Sequence, residues 1–213
     1  VTNGIPFVTG LKHRPNLDEL DALGVGMATS GGVAMFILPG VTPPYTDEND
    51  SRAANLPSVC IDDRQIKDIY DGFCTGLGDS FDIVHLGCPH ASFEEMKHYG
   101  ALLQGRTIHD NTQLWITTNR NVRQMAKDAG LLGPILASGA RVISDTCPIS
   151  CHFARTCSPD SKLGVKPVEL KAIVVDSAKQ AHYIRDMIQC PTLLTTTENA
   201  VETAISGHFY PRF

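Results

Sequence analysis

The chain has 213 residues, 42% hydrophobic and 19% charged, an ordinary globular composition with enough length for one large domain or two small lobes. Its formal net charge of -5 provides no basic footprint for nucleic acid or for a membrane surface. No apolar run reaches about 18 residues, so no membrane-spanning helix is indicated. The first residues, Val1-Thr-Asn-Gly-Ile-Pro-Phe7, contain neither an initiator Met nor a charged-then-apolar leader, and they read as the middle of a longer protein. Seven cysteines, an odd number without a secretion signal, favour a reduced cytoplasmic compartment, where thiols bind metal or do chemistry more often than they pair.

In chain order, residues 1–16 are irregular, and Asn16 is placed to cap a short helix running through Leu23. Two short apolar segments follow around Ser30-Gly31-Gly32. The paired glycines there read either as an anion cradle, with backbone N–H groups turned toward a carboxylate or phosphate, or as a plain turn. Prolines 39, 43, 44 and 57 and the acidic run Asp47-Glu-Asn-Asp50 mark a long loop and a boundary. It divides a Gly-rich segment, 1–58, from an α/β domain, 59–213. Ile66, Ile69, Tyr70 and Phe73 recur at helical spacing, giving an amphipathic helix over 62–73.

From Phe81 onward, strand and helix alternate. Ile83, Val84 and Leu86 form a buried strand that is expected to stop at Gly87, directly before Cys88-Pro89-His90. Ser92-Phe-Glu-Glu95 is a capping box opening a helix to Leu103. Further strands are expected at Leu114–Thr118, Ala140–Asp145, Ala172–Ser177 and Leu193–Thr196. Helices are expected from Asn121 to Ala129, before Gly139, from Ala178 to Ile188 and from Glu198 to Ser206. This alternation predicts an α/β fold: a mostly parallel sheet with helices on both faces.

Four strands end in polar or reactive residues: Cys88 and His90; Thr117, Thr118 and Asn119; Asp145, Thr146 and Cys147; and Asp176, Ser177 and Lys179. A parallel sheet gathers such ends on one edge, where ligands bind. Cys88 and Cys147 are each followed by Pro, and two strand-end thiols suggest a shared metal. Their separation matches no zinc knuckle, and Cys147, Cys151 and Cys157, at spacings of four and six, read either as a second metal site or, the favoured reading for Cys151 and Cys157, as incidental thiols.

Ser30-Gly-Gly-Val-Ala-Met-Phe36, Gly40-Val-Thr-Pro43, Asp82-Ile-Val-His-Leu-Gly-Cys-Pro-His90, Asp145-Thr-Cys147 and Ser177-Ala-Lys-Gln-Ala-His-Tyr183 together resemble aconitase X, in order and across nearly the whole chain. The closest likeness is to the C-terminal half of its large subunit or fused single chain. The resemblance implies an aconitase-like catalytic region and hydro-lyase chemistry on a small hydroxy acid, cis-3-hydroxy-L-proline or mevalonate 5-phosphate. It also implies an iron–sulfur cluster or mononuclear iron held by three cysteines. Cys88 and Cys147 correspond to two of these ligands, with the third expected before Val1. A small swivelling domain or subunit is the implied partner. Two places depart from the family pattern: Cys151-His-Phe-Ala-Arg-Thr-Cys157, and Asp176 where Asn is expected.

Residue chemistry agrees with that implication. Dehydration needs a Lewis acid on the leaving hydroxyl, a base for the carbon-bound proton and donors on the carboxylate. Ser30, Gly31, Gly32, Thr118, Ser177 and Lys179 are the expected substrate-binding groups. His90 either passes a proton to the departing water or orients Cys88 by a hydrogen bond. His85, mid-strand, reads as a satisfied core histidine. The supply of cations at these strand ends favours the hydroxyproline over the phosphorylated substrate. A non-catalytic metal-binding module and a cysteine-nucleophile enzyme using Cys88 and His90 are the competing readings.

Overall fold

β1 (Ile83–Ala91) is the central strand of a five-stranded, wholly parallel sheet. The computed structural model describes residues 4–43, 55–74, 80–149 and 170–213, which divide into two units, Val1–Ile66 and Lys67–Phe213. Strand order is β3 (Arg141–Ser144), β2 (Gln113–Thr118), β1, β4 (Ile173–Val175), β5 (Thr192–Leu194). The chain therefore winds outward from β1 in one direction, then returns to its other side at β4. The switch in winding lies between β1 and β4, the place where open α/β sheets leave a crevice at their C-terminal edge.

Alternation along each strand divides the core. Val84, Leu86, Leu114, Ile116, Val174 and Leu193 face one side, against Met96, Tyr99 and Leu103 of α3 (Phe93–Leu103). Ala126 of α4 (Arg120–Asp128), Ile135 of α5 (Leu132–Ala137) and Ala200, Val201 and Ala204 of α7 (Thr197–Ser206) complete that layer. Ile83, Ile173, Val175 and Leu194 face the other side. There they meet Tyr70 and Phe73 of α2 (Asp63–Cys74), Ala181 of α6 (Ala178–Tyr183), and Ile184 and Ile188 of the π-helical turn that follows it. Each of these fully buried Leu or Ile side chains contributes about 1.5–3 kcal/mol relative to exposure. Both faces are covered, as the near-continuous apolar strands require.

Helix starts follow side-chain chemistry. Ser92 accepts from the Glu95 N–H while Glu95 reaches back to the Ser92 N–H, closing the expected capping box. Asn119, two residues ahead of the expected start, caps α4.

The first unit differs from expectation. Asn16 does cap a helix, with a full capping box to Glu19, but α1 (Leu17–Gly31) does not stop at Leu23. It continues through Gly24 and Gly26 to Gly31, and Gly32 ends it in the left-handed conformation at φ 62°. Phe7 and Ile37 pair as an isolated parallel bridge within the same unit.

No helix among the described residues is long and apolar enough to cross a membrane.

Candidate functional site at the C-terminal edge of the sheet

β1 does not stop at Gly87. Leu86 pairs with Ile116, and the next pair is Ala91 with Thr118, so Gly87–His90 all face the single residue Thr117. This bulge projects Cys88, Pro89 and His90 out of the ladder without ending the strand. Gly87 makes the turn possible. Its φ is 80°, and a side chain there would collide with the Thr117 carbonyl oxygen and crowd Ala91, 3.1 Å away. The Thr117 hydroxyl donates to the Gly87 carbonyl, and the Cys88–Pro89 peptide is cis.

The bulge brings sequence-distant groups together. Burial pushes the Cys88 thiol up to about 11. A hydrogen bond from the Ser177 hydroxyl and the charge of Lys179 act in the opposite direction, while Cys147 and Asp176 push it further up. Asp176, Ser177 and Lys179 at the end of β4 thus act on Cys88 across the β1–β4 switch, and Cys147, beyond β3, acts on it from the other side. Ser177 also caps α6, accepting from the Gln180 N–H. Cys147 accepts a hydrogen bond from the Ile149 N–H at 3.3 Å. His90 Nε2 donates to the Thr146 carbonyl at 3.0 Å, tying the bulge to the residue before Cys147.

Asp176 projects toward the α3–α7 side. It accepts from the Thr197 hydroxyl at 2.8 Å. Burial of its carboxyl raises its pKa to about 7, with Glu95 and Glu198 adding to the rise. Asp145 is placed otherwise: it accepts from the Arg120 N–H at 3.0 Å and from Arg120 Nε at 2.5 Å, and these bonds hold its carboxyl below the usual range. Asp145 and Arg120 are therefore partners of each other.

Four of the expected substrate-binding residues have other partners in the structure. Thr118 is fully buried and its hydroxyl donates to the Ala91 carbonyl at 2.7 Å, which stitches the far side of the bulge to β2. Ser30, Gly31 and Gly32 form the end of α1 and not an N–H cradle. The Ser30 hydroxyl donates to Gly26 O, and the Gly32 N–H turns back to Ala28 and Met27. A helix C-terminus presents carbonyls and the negative end of the helix dipole, which disfavour an anion. Cys151, Cys157 and Arg155 lie outside the described residues.

Sequence reading took His85 as a core residue and missed its partners. It is buried, hydrogen-bonded to Thr117 and to Gln180 of α6. The parity of β1 and β2 carried the signal, because His85 and Thr117 point to the same face. Among the described residues, no group of three or more His, Cys, Asp or Glu side chains is arranged to hold a metal. The two thiols fit as part of such a set. Each already receives a hydrogen bond at sulfur, and a buried thiol as weakly acidic as Cys88 is deprotonated by a coordinated cation.

Comparison with known proteins agrees with this geometry. Residues 1–71 match the model of the aconitase X second domain, and residues 81–206 that of the aconitase X third domain. Phosphomevalonate dehydratase large subunit of Methanothermobacter thermautotrophicus is 33% identical over 184 residues, 86% of this chain and 42% of the relative. Cis-3-hydroxy-L-proline dehydratase of Pseudomonas aeruginosa is 32% identical over 206 residues, 95% of this chain and 34% of the relative. The crystal structure of Thermococcus kodakaraensis aconitase X in its holo-form matches with a TM-score of 0.77 at 26% identity, covering 96% of this chain and 48% of that one. The chain spans less than half the length of these proteins. With family models matching both of its units, this chain belongs to the aconitase X family.

Proposed function

We propose that this chain is the metal-bearing portion of a hydro-lyase that removes water from a small hydroxy acid. The observation that supports the reading is the tie between the Cys88 bulge and the segment leading into Cys147, made by the His90–Thr146 hydrogen bond, with Lys179 acting electrostatically on Cys88 from the end of β4. Cys88 and Cys147 would hold iron, as a mononuclear ion or an iron–sulfur cluster, with a third ligand from outside this chain. Bound there, the metal supplies a Lewis acid for the leaving hydroxyl.

The chain's own residues have separate tasks. Lys179 offers a point charge for the substrate carboxylate. Ser177 holds the Cys88 sulfur, and His90 holds the Thr146–Cys147 loop. Asp176, with a pKa about 7, can hold or release a proton near neutral pH. The base for the carbon-bound proton is proposed to come from a small domain or subunit; the name "large subunit" carried by the Methanothermobacter relative supports such a partner. A cytoplasmic location goes with the reduced thiols that this chemistry needs.

For substrate we favour cis-3-hydroxy-L-proline. Arg120, the cation nearest the β2 end in sequence, is engaged by Asp145, which leaves Lys179 for one carboxylate and little for a phosphate. Mevalonate 5-phosphate is the second reading, favoured by the names of the relatives from Methanothermobacter thermautotrophicus and Methanosarcina mazei. Anaerobic assay of the full-length iron-loaded protein with both compounds tests the choice. Turnover of the phosphorylated compound alone would reverse it, and turnover of neither would remove the hydro-lyase reading.

A further inference from the structure

A chain of buried polar groups runs beneath the Cys88 bulge. Thr117, His85 and Gln180 are each at most 1% exposed. Thr117 Oγ1 lies 3.1 Å from His85 Nε2, and His85 Nδ1 lies 2.5 Å from the Gln180 carboxamide. The Gln180 amide nitrogen is one of two buried side-chain polar atoms among the described residues without a hydrogen-bond partner.

Counting protons sets the direction. A hydroxyl has one proton, and the Gly87 carbonyl can only accept, so the Thr117 proton points to Gly87. Thr117 must then accept from His85 Nε2–H. Burial keeps the ring neutral at ordinary pH, with its pKa near 4, so Nδ1 carries no proton and needs a donor. Among the described residues the group hydrogen-bonded to it is the Gln180 carboxamide, whose amide nitrogen lacks a partner. Turning that amide toward Nδ1 satisfies the ring and gives the orphaned donor its acceptor.

We propose that Gln180, His85 and Thr117 form a one-way relay of hydrogen bonds that pins the Gly87 carbonyl and so positions Cys88 for metal binding. It rests on the reading of Cys88 as an iron ligand. Gln180 and Ser177 belong to the same first turn of α6, so this turn holds Cys88 twice: at sulfur through Ser177, and at the preceding peptide through the relay. These three are positioning residues and need not touch substrate.

The test uses the full-length iron-loaded protein that contains this chain. Thr117→Val removes the hydroxyl at similar shape, Thr117→Ser keeps it, and Gln180→Met removes the relay's far end. Iron release to a chelator should be roughly 10–100-fold faster in Thr117→Val, the scale found when partners of metal ligands are removed. Gln180→Met should move the same way, Thr117→Ser should return to the wild-type rate, and the charge-transfer absorption should shift only in the first two. Wild-type rates and spectra in both Thr117→Val and Gln180→Met would overturn the relay while leaving iron binding in place. Wild-type protein that holds no iron would overturn the parent reading and the relay with it. Nitrogen-15 NMR of the His85 ring tests the direction without metal: a proton on Nε2 and none on Nδ1 is expected, and a proton on Nδ1 overturns it.

Discussion

Thr117 and Gly87 hold each other in place across two strands. The Thr117 hydroxyl donates to the Gly87 carbonyl, and the Thr117 carbonyl fills the space where a Gly87 side chain would begin. Gly87→Ala should therefore suffer twice, from a left-handed backbone costing about 1–2 kcal/mol and from a collision costing about 1–3 kcal/mol more. Gly105 is the control, since its φ is 69° and nothing lies within 4 Å of an added carbon. Urea unfolding should show a clearly larger loss for Gly87→Ala than for Gly105→Ala. Equal losses would mean that the bulge does not need the close approach.

Asp176 should make the protein less stable as pH rises. An Asp with an unfolded pKa near 3.9 and a folded value about 7 binds its proton more tightly when folded. Its stabilisation is full below about pH 4 and is lost as pH rises through 7. Asp176→Asn keeps an acceptor for Thr197 and removes the charge that faces Glu95, Glu198 and Cys88. The variant should gain on the order of 1–3 kcal/mol over wild type at pH 8, discounted for the partial exposure of the residue, with the gain vanishing near pH 4. A gain independent of pH would contradict the assigned cause.

Lys179 and Arg120 should separate in kinetics. Lys179 acts electrostatically on Cys88, whereas Arg120 is engaged by Asp145. With the favoured substrate, Lys179→Ala should raise KM by roughly tenfold, one charge-assisted contact, and Arg120→Ala by less than about twofold. A large KM increase in Arg120→Ala would place Arg120 on the substrate and favour a phosphorylated one.

Much of this was legible before the fold was known, for identifiable reasons. The N-cap at Asn16 and the capping box at Ser92 are local, so the sequence shows them directly. The parallel sheet followed from alternation, and a parallel sheet forces Cys88, Cys147 and Ser177 to one edge. The bulge was not legible, because a run of four residues facing one is a property of pairing between β1 and β2. A Gly after an apolar run looks the same whether it ends a strand or bends it. The length of α1 was missed because Gly24 and Gly26 each weaken a helix by about 1 kcal/mol. Packing permits the first of them: a carbon added at Gly24 would already sit 3.4 Å from Phe36. The sequence left Ser30-Gly31-Gly32 open between a cradle and a turn because paired glycines serve both, and here they end a helix.

The most direct test of the account is iron retention by Cys88→Ala and Cys147→Ala in the full-length protein, purified without oxygen. Iron content and thiolate-to-iron absorption should fall sharply in both variants. Cys60→Ser, which alters an exposed thiol, should keep the wild-type values of both. Full iron and full absorption in Cys88→Ala and Cys147→Ala together would contradict the assignment of this strand edge as a metal site.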